Sequence, residues 1–368
     1  MSWQRQAVFW SLALLAAALI LYMLGPILLP FVAGAAIAYL LDPVARRLER
    51  LGLGRLGATI LILSLAALAF ILLLVVLVPV VLQQAAQFIE GIPAYVARLS
   101  ELFRDLGARA TGVPWLRDAL GLDDATEDAG ELLHELAGQA TEWLGQLARQ
   151  ILTGGLAFIS LMALIVVTPV VAFFLLNDWD RLVARVDSWV PRDHVDTVRR
   201  LAREIDTALA GFVRGQALLC LILGVFYGAS LTLLGLNFGL MIGLVAGLIS
   251  FIPYIGSILG FVVAVAVALV QFWPDWPWIV AVAGVFIAGN LTEGNILQPK
   301  LVGSQVGLHP VWLIFAVLAF GYLFGFVGLL LAVPLAAALG VLARFALQQY
   351  LASPIYHPGA DDAEGPKT

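Results

Sequence analysis

The side chains best equipped for chemistry in this chain sit in one short polar stretch. GNLTEGNILQPKLVG, residues 289–303, gathers Asn290, Thr292, Glu293, Asn295, Gln298 and Lys300 between two long apolar blocks. A charge facing lipid at the centre of a span costs about 2.5–3.5 kcal/mol on insertion scales. These groups are therefore expected to face protein, water or a solute. Glu293 is the only acidic side chain between Asp275 and Asp361. A carboxyl group stripped of part of its water exchanges a proton closer to neutral pH, the property a gradient-coupled carrier needs. Glu293 is the candidate coupling carboxylate, with Asn290, Asn295, Gln298 and Lys300 set to orient a polar solute or to stabilise the ionised form. Arg214, at the start of an apolar run, is a candidate counter-ion, with snorkelling to the interface as the competing reading.

Helix breakers accompany these groups. Gly289, Gly294, Pro299 and Gly303 interrupt the polar stretch itself. Pro253, Tyr254 and Gly256 interrupt SFIPYIGSILG at 250–260, and Gly307, His309 and Pro310 open the last apolar block. Non-helical backbone at membrane depth survives only where it is buried or lines a cavity, and discontinuous helices carrying polar side chains are the usual form of a transport site. Two bland readings compete: 289–303 as a solvated loop, and His309 as an interfacial side chain rather than a titrating one.

Enzyme chemistry has little to work with. His134-Glu135 begins like the zinc helix HExxH, but Gly138 stands where the second histidine is required. The chain has no GxxxxGK[ST] phosphate loop and no GxSxG elbow. GLDDATEDAGE at 121–131 lacks the alternating ligand spacing of a Ca²⁺ loop. Cys220 is the single cysteine, which excludes an intrachain disulfide and a multi-cysteine metal site. No cofactor and no metal are expected.

The elements that must carry Glu293 follow from composition. Of 368 residues, 62% are hydrophobic and only 12% charged, and the mean hydropathy is +0.98. A chain so poor in ionisable groups cannot cover a water-facing surface and belongs in a bilayer. Net charge is −5 and the sequence contains no Lys/Arg run, so neither a nucleic-acid footprint nor a polybasic lipid patch is visible. About 20 apolar residues suffice for a span. The stretch between Arg5 and Asp42 fits two short passes around Gly25-Pro26 and Pro30, 57–82 a third, and 151–177 another. From 207 to 291 the only full charges are Arg214 and Asp275, and from 301 to 343 there are none. Eight to ten passes result, some broken or re-entrant. Trp273, Trp276 and Trp278, with Pro274 and Pro277, mark an interfacial turn.

Arginines at 46–55, the six from Arg181 to Arg203, Lys300 and Arg344 fall on one side if spans alternate, which makes both termini cytoplasmic. Segment 83–150, with five Arg against eleven Asp/Glu, then lies outside. Periodic apolar residues in 131–151 (Leu133, Leu136, Ala140, Trp143, Leu144, Leu147, Ile151) and in 195–212 (Val195, Val198, Leu201, Ile205, Leu209, Phe212) predict amphipathic helices. Six regions are expected: three spans in 1–82, an acidic helical insert at 83–150, a span at 151–177, cytoplasmic amphipathic helices at 178–211, a transmembrane bundle with broken helices at 212–350, and a polar tail at 351–368.

YLLDPVARRLER (39–50), GFVRGQ (211–216), FIPYIGSILG (251–260), EGNILQPKLVG (293–303), GLHPVW (307–312) and GFVGLLLAVPLAAALGVLARF (325–345) together resemble the AI-2E (autoinducer-2 exporter, PerM-like) family. Ser257 stands where many members have a second proline after PYxG. The resemblance implies a polytopic bacterial inner-membrane protein of about eight spans. It also implies export of autoinducer-2 or Na⁺/H⁺ exchange, and homo-oligomeric assembly, a pentamer. The expectation is an all-α transmembrane helical bundle, not an enzyme, that exports a small polar solute coupled to a proton or sodium gradient. Its partners would be membrane lipid, the solute, H⁺ or Na⁺ and further copies of itself, with no nucleic acid. A Na⁺/H⁺ antiporter, a channel and an envelope scaffold are the alternatives.

Overall fold

The computed structural model describes residues 23–24, 27–110, 135, 138–139, 142, 155–252, 255–302, 309–352 and 356, and no strand occurs among them. The helices are α1 (Leu29–Arg50), α2 (Arg55–Ala110), α3 (Gly155–Ser188), α4 (Val195–Leu233), α5 (Gly239–Ile249), α6 (Ile255–Phe272), α7 (Trp276–Thr292), a π-helical segment (Glu293–Val302) and α8 (Pro310–Leu351). Six stretches among the described residues are long and apolar enough to cross a membrane: Leu29–Arg50, Arg55–Glu101, Arg192–Leu233, Ile255–Phe272, Trp276–Leu301 and Val311–Leu351. The chain is a polytopic, all-α membrane protein. The expected first pass falls outside the described residues, as do Pro253, Tyr254, Gly303, Gly307 and most of 111–154.

Chain packing forms two compact units, one of residues 1–64, 163–217 and 298–368 and one of 65–162 and 218–297. In the first, α1 opens with a proline at its first turn and ends in Arg47 and Arg50, whose charge complements the helix dipole. Gly52, at φ 97°, closes it through bonds from Gly52 N to the Glu49 carbonyl and from Leu53 N to the Leu48 carbonyl. Ala38, Ala45, Ile62 and Leu176 form the core there.

In the same unit α8 is not one rod. Gly325 adopts φ 58°, ψ −137° within it, a conformation open mainly to glycine. Gly328 packs against the Phe320 carbonyl, and Gly321 against the Leu329 side chain. Residues eight apart on a straight helix are about 12 Å apart. The chain therefore reverses at Gly325, and α8 is a hairpin of arms 310–324 and 326–351. Its first arm is about 22 Å long, short of a hydrocarbon core of roughly 30 Å. His309 and Pro310 begin this helix, with His309 Nδ1 accepting from Val311 N at 3.3 Å.

The second unit is built on close backbone approach. Gly224 and Gly228 of α4 meet Gly247 and Gly243 of α5 so tightly that a methyl group on either α5 glycine would overlap α4 backbone. Two facing G-x-x-x-G pairs produce this contact, the device by which helices associate in lipid. At the α4–α5 turn, Gln271 of α6 accepts from Asn237 N and donates to the Gly235 carbonyl, both at 2.8 Å. Phe238, at φ 60°, is held there by the rings of Phe88 and Tyr95. α6 and α7 join through the tryptophan–proline turn at 273–276.

Candidate functional site

Glu293 is 8% exposed, although it lies in an apolar span. Phe286, Gly289 and Glu293 share one face of α7 and its continuation, three and four residues apart. Tyr227 of α4 lies along that face: its ring stacks on Phe286 at 4.6 Å and 20°, and its phenol occupies the space a side chain at Gly289 would fill. Phe261 of α6 closes the cluster edge-on to Phe286 at 6.1 Å. The Glu293 carboxyl is carried one turn beyond Gly289 on that same face. Both the Tyr227 hydroxyl and Glu293 Oε2 are buried without a hydrogen-bond partner among the described residues. Leaving such a group unmade costs about 1–3 kcal/mol, more when it is charged.

Glu293 also opens the π-helical segment, ten residues long. A stretch expected to be non-helical is instead wound wide, passing Gly294 and Pro299 without a break. The ring of Pro299 and its missing N–H disrupt an α-helical ladder. Loosening the winding to i→i+5 is one way to carry the helix past it, and such winding is concentrated at functional positions.

The remaining polar residues of the stretch are more open. Asn290 and Lys300 are exposed, Gln298 is half-buried, and Lys300 has no ion pair among the described residues. Asn295 turns its amide back to the Leu291 carbonyl at 2.9 Å. Gly256 is buried where the start of α6 presses on Ser250 at the end of α5.

Arg214 belongs to a second polar centre, in the first unit. Its Nε donates to the Tyr39 carbonyl at 2.8 Å, and its Nη2 stands 4.0 Å from Asp42. Asp42 also accepts from Arg46 at 2.8 Å and Arg55 at 3.3 Å. Arg55 bonds Glu49 and the Leu176 carbonyl as well, at 3.1 and 2.7 Å. The Tyr39 hydroxyl donates to Asp206 at 2.9 Å, and Trp179 meets the Tyr39 ring edge-on. A cavity of about 630 Å³ opens among these groups. Tyr39, Asp42, Asp206 and Tyr227 were not singled out by spacing. Their one local signal is polarity at the edge of, or inside, an apolar run.

A match to the AI-2E family transporter model covers residues 10–348. PerM of Escherichia coli (strain K12) is 27% identical over 342 residues, 91% of this chain and 94% of PerM. YrrI of Bacillus subtilis (strain 168) is 29% identical over 316 residues, 86% of this chain and 85% of YrrI. The AI-2 transport protein TqsA of Escherichia coli (strain K12) is 26% identical over 332 residues, 88% of this chain and 86% of TqsA. Because the family match begins before α1 and ends inside α8, it takes in both polar centres and every helix between them, and the chain belongs to the AI-2E family of membrane transporters.

Proposed function

We propose that this chain exports a small polar solute and couples its movement to a proton or sodium gradient through Glu293. The observation that carries the reading is the pair of unpartnered buried oxygens, Glu293 Oε2 and the Tyr227 hydroxyl, inside an apolar span. Among the described residues the carboxylate lacks a donor and the phenol an acceptor, so a proton or cation arriving at the carboxylate, or a solute hydroxyl arriving at either group, relieves an existing cost. Protonation neutralises the carboxyl group and makes its movement through the low-dielectric interior cheaper, which is the elementary step of coupling. Asn290, Asn295, Gln298 and Lys300 supply amide and ammonium groups along the same helix, and Arg214 supplies a guanidinium to the Asp42 centre.

The similarity to the AI-2 transport protein TqsA makes an autoinducer-2-like small polar solute the first to test. The reading extends to a homo-oligomer, pentameric by family resemblance, in the bacterial inner membrane with both termini cytoplasmic, as the arginine distribution favours. The test is flux in proteoliposomes against a panel of small polar solutes, with and without an imposed pH or sodium gradient. Gradient-driven flux is expected in the wild type and lost in Glu293→Gln, which keeps size and hydrogen bonding but cannot titrate. Flux indifferent to every gradient points to a channel. Undiminished coupled flux in Glu293→Gln removes the mechanism.

A further inference from the structure

Arginine residues from two distant segments meet in the first unit without an ion-pair partner among the described residues. Arg200 and Arg203 of α4 and Arg344 of α8 line one cavity of about 400 Å³, with Glu204, Thr207, Ala208 and Val341 completing its wall. None of the three arginines makes an ion pair with a described residue. Their neighbours differ: Arg46, Arg55, Arg181 and Arg199 each have a carboxylate oxygen within 3.3 Å. Glu204 is the one acidic group in the cavity, so the lining carries a net charge of +2. The Arg203 Nε donates to the Arg199 carbonyl at 3.1 Å, which fixes the guanidinium while leaving both Nη groups able to donate. Thr207 gives its hydroxyl proton to the Arg203 carbonyl and retains only acceptor capacity.

Position along the helices identifies the level of this cavity in the membrane. Arg344 ends a block free of full charge that begins at residue 301, and Arg203 is followed five residues on by Ala208, where a buried apolar face begins that continues to Phe212. The arginines therefore stand where apolar helix gives way to charge, at headgroup depth, with Ala208 and Val341 on the apolar side. The sequence shows no basic run because the patch is assembled by folding, two arginines one turn apart on α4 and a third from α8.

We infer that the Arg200–Arg203–Arg344 cavity binds the phosphate of an anionic phospholipid headgroup. Guanidinium groups match phosphate oxygens in geometry as well as charge, and basic pockets between transmembrane helices at the headgroup level bind such lipids. This inference does not depend on how the solute is carried.

The full chain in mild detergent, titrated with phosphatidylglycerol or phosphatidylcholine and read by native mass spectrometry, tests it. Retention of phosphatidylglycerol over phosphatidylcholine is expected. Arg203→Gln/Arg344→Gln should weaken phosphatidylglycerol retention about 25-fold, taking the roughly fivefold per basic group that an anionic surface gives. Arg47→Gln/Arg185→Gln removes the same charge elsewhere and should leave retention unchanged. Equal weakening in both double variants, or none in either, overturns the site. Inorganic phosphate that competes off the lipid at equal concentration would make it a free-phosphate site and overturn the lipid assignment. If the first double variant does not fold, Arg344→Gln alone, on the other helix, decides the matter with a fivefold effect expected and no effect overturning it.

Discussion

Gly289 lies directly beneath the phenol of Tyr227, so that α7 can present no side chain there without displacing the ring stacked on Phe286. Gly284, on the same helix, has open space around it. Gly289→Ala should therefore destabilise the protein by about 1–3 kcal/mol, the range for overpacking a filled site. Gly284→Ala should be neutral or slightly stabilising, because alanine is the better helix former. Thermal unfolding of both variants in one detergent checks the contrast.

Tyr227→Phe removes a buried hydroxyl that has no hydrogen-bond partner among the described residues. Its deletion should leave stability unchanged or raise it by about 1 kcal/mol, since an unmade bond is abolished rather than broken. Solute flux should fall in the same preparation. A loss of stability would mean that the hydroxyl is bonded in the folded protein.

The Asp42 centre offers a comparison between part-buried and exposed ion pairs. Asp42 and Arg55 retain about a fifth of their side-chain exposure, whereas Arg181, paired with Asp178, is 86% exposed. Asp42→Asn should cost about 1.5–3 kcal/mol, the range for losing hydrogen bonds to charged partners. Arg181→Gln should cost about 0–1 kcal/mol. Equal effects in chemical denaturation would show that the Asp42 centre is as solvated as the surface.

Asp187 is held below the usual carboxylate range by two 2.7 Å hydrogen bonds from Arg199, reinforced by the positive charge of Arg199 and of Arg192. A carboxyl group with a lowered folded-state pKa stabilises the fold above its unfolded pKa and loses that contribution as pH falls through the folded value. Wild type and Arg199→Gln should therefore differ in melting temperature near neutral pH and converge below about pH 4, where unperturbed aspartate protonates. Curves that stay parallel through the acid range would show that the pair contributes nothing through ionisation.

The reversal at Gly325 predicts a topology. Single cysteines at His309 and Gln348, introduced after Cys220→Ser, should react with an impermeant thiol reagent from the same side of a sealed vesicle. Opposite-side labelling would mean that α8 crosses as one rod.

How much of this was legible beforehand depended on whether the cause was local. A glutamate flanked by amides inside an apolar block signals burial by its own cost, and tryptophans spaced by prolines signal a turn, so the burial of Glu293 and the turn at 273–275 could be read directly. Gly294 and Pro299 suggested a break, but the sequence carries no sign that the chain widens into a π helix. Gly325 reads as one glycine among thirty-five, and only its dihedral angles reveal the reversal. Tyr39 and Asp206 are separated by 167 positions, a pairing that single-sequence periodicity cannot find. Tyr227, in an apolar run, looks like any other core aromatic until Gly289 is set beside it.

The four glycines that join α4 to α5 take part in no reaction, and yet they determine where Tyr227 points. A contact made of side chains can relax by changing rotamers, but backbone against backbone has no such freedom. Tyr227 directly precedes Gly228, so the azimuth of its ring about the α4 axis is inherited from a joint that cannot slip by one residue without collision. Positional accuracy at the buried hydroxyl thus originates in atoms that are missing. Substituting Gly243 or Gly247 would misdirect the phenol without touching it, and would be mistaken for a chemical defect in an assay of activity alone.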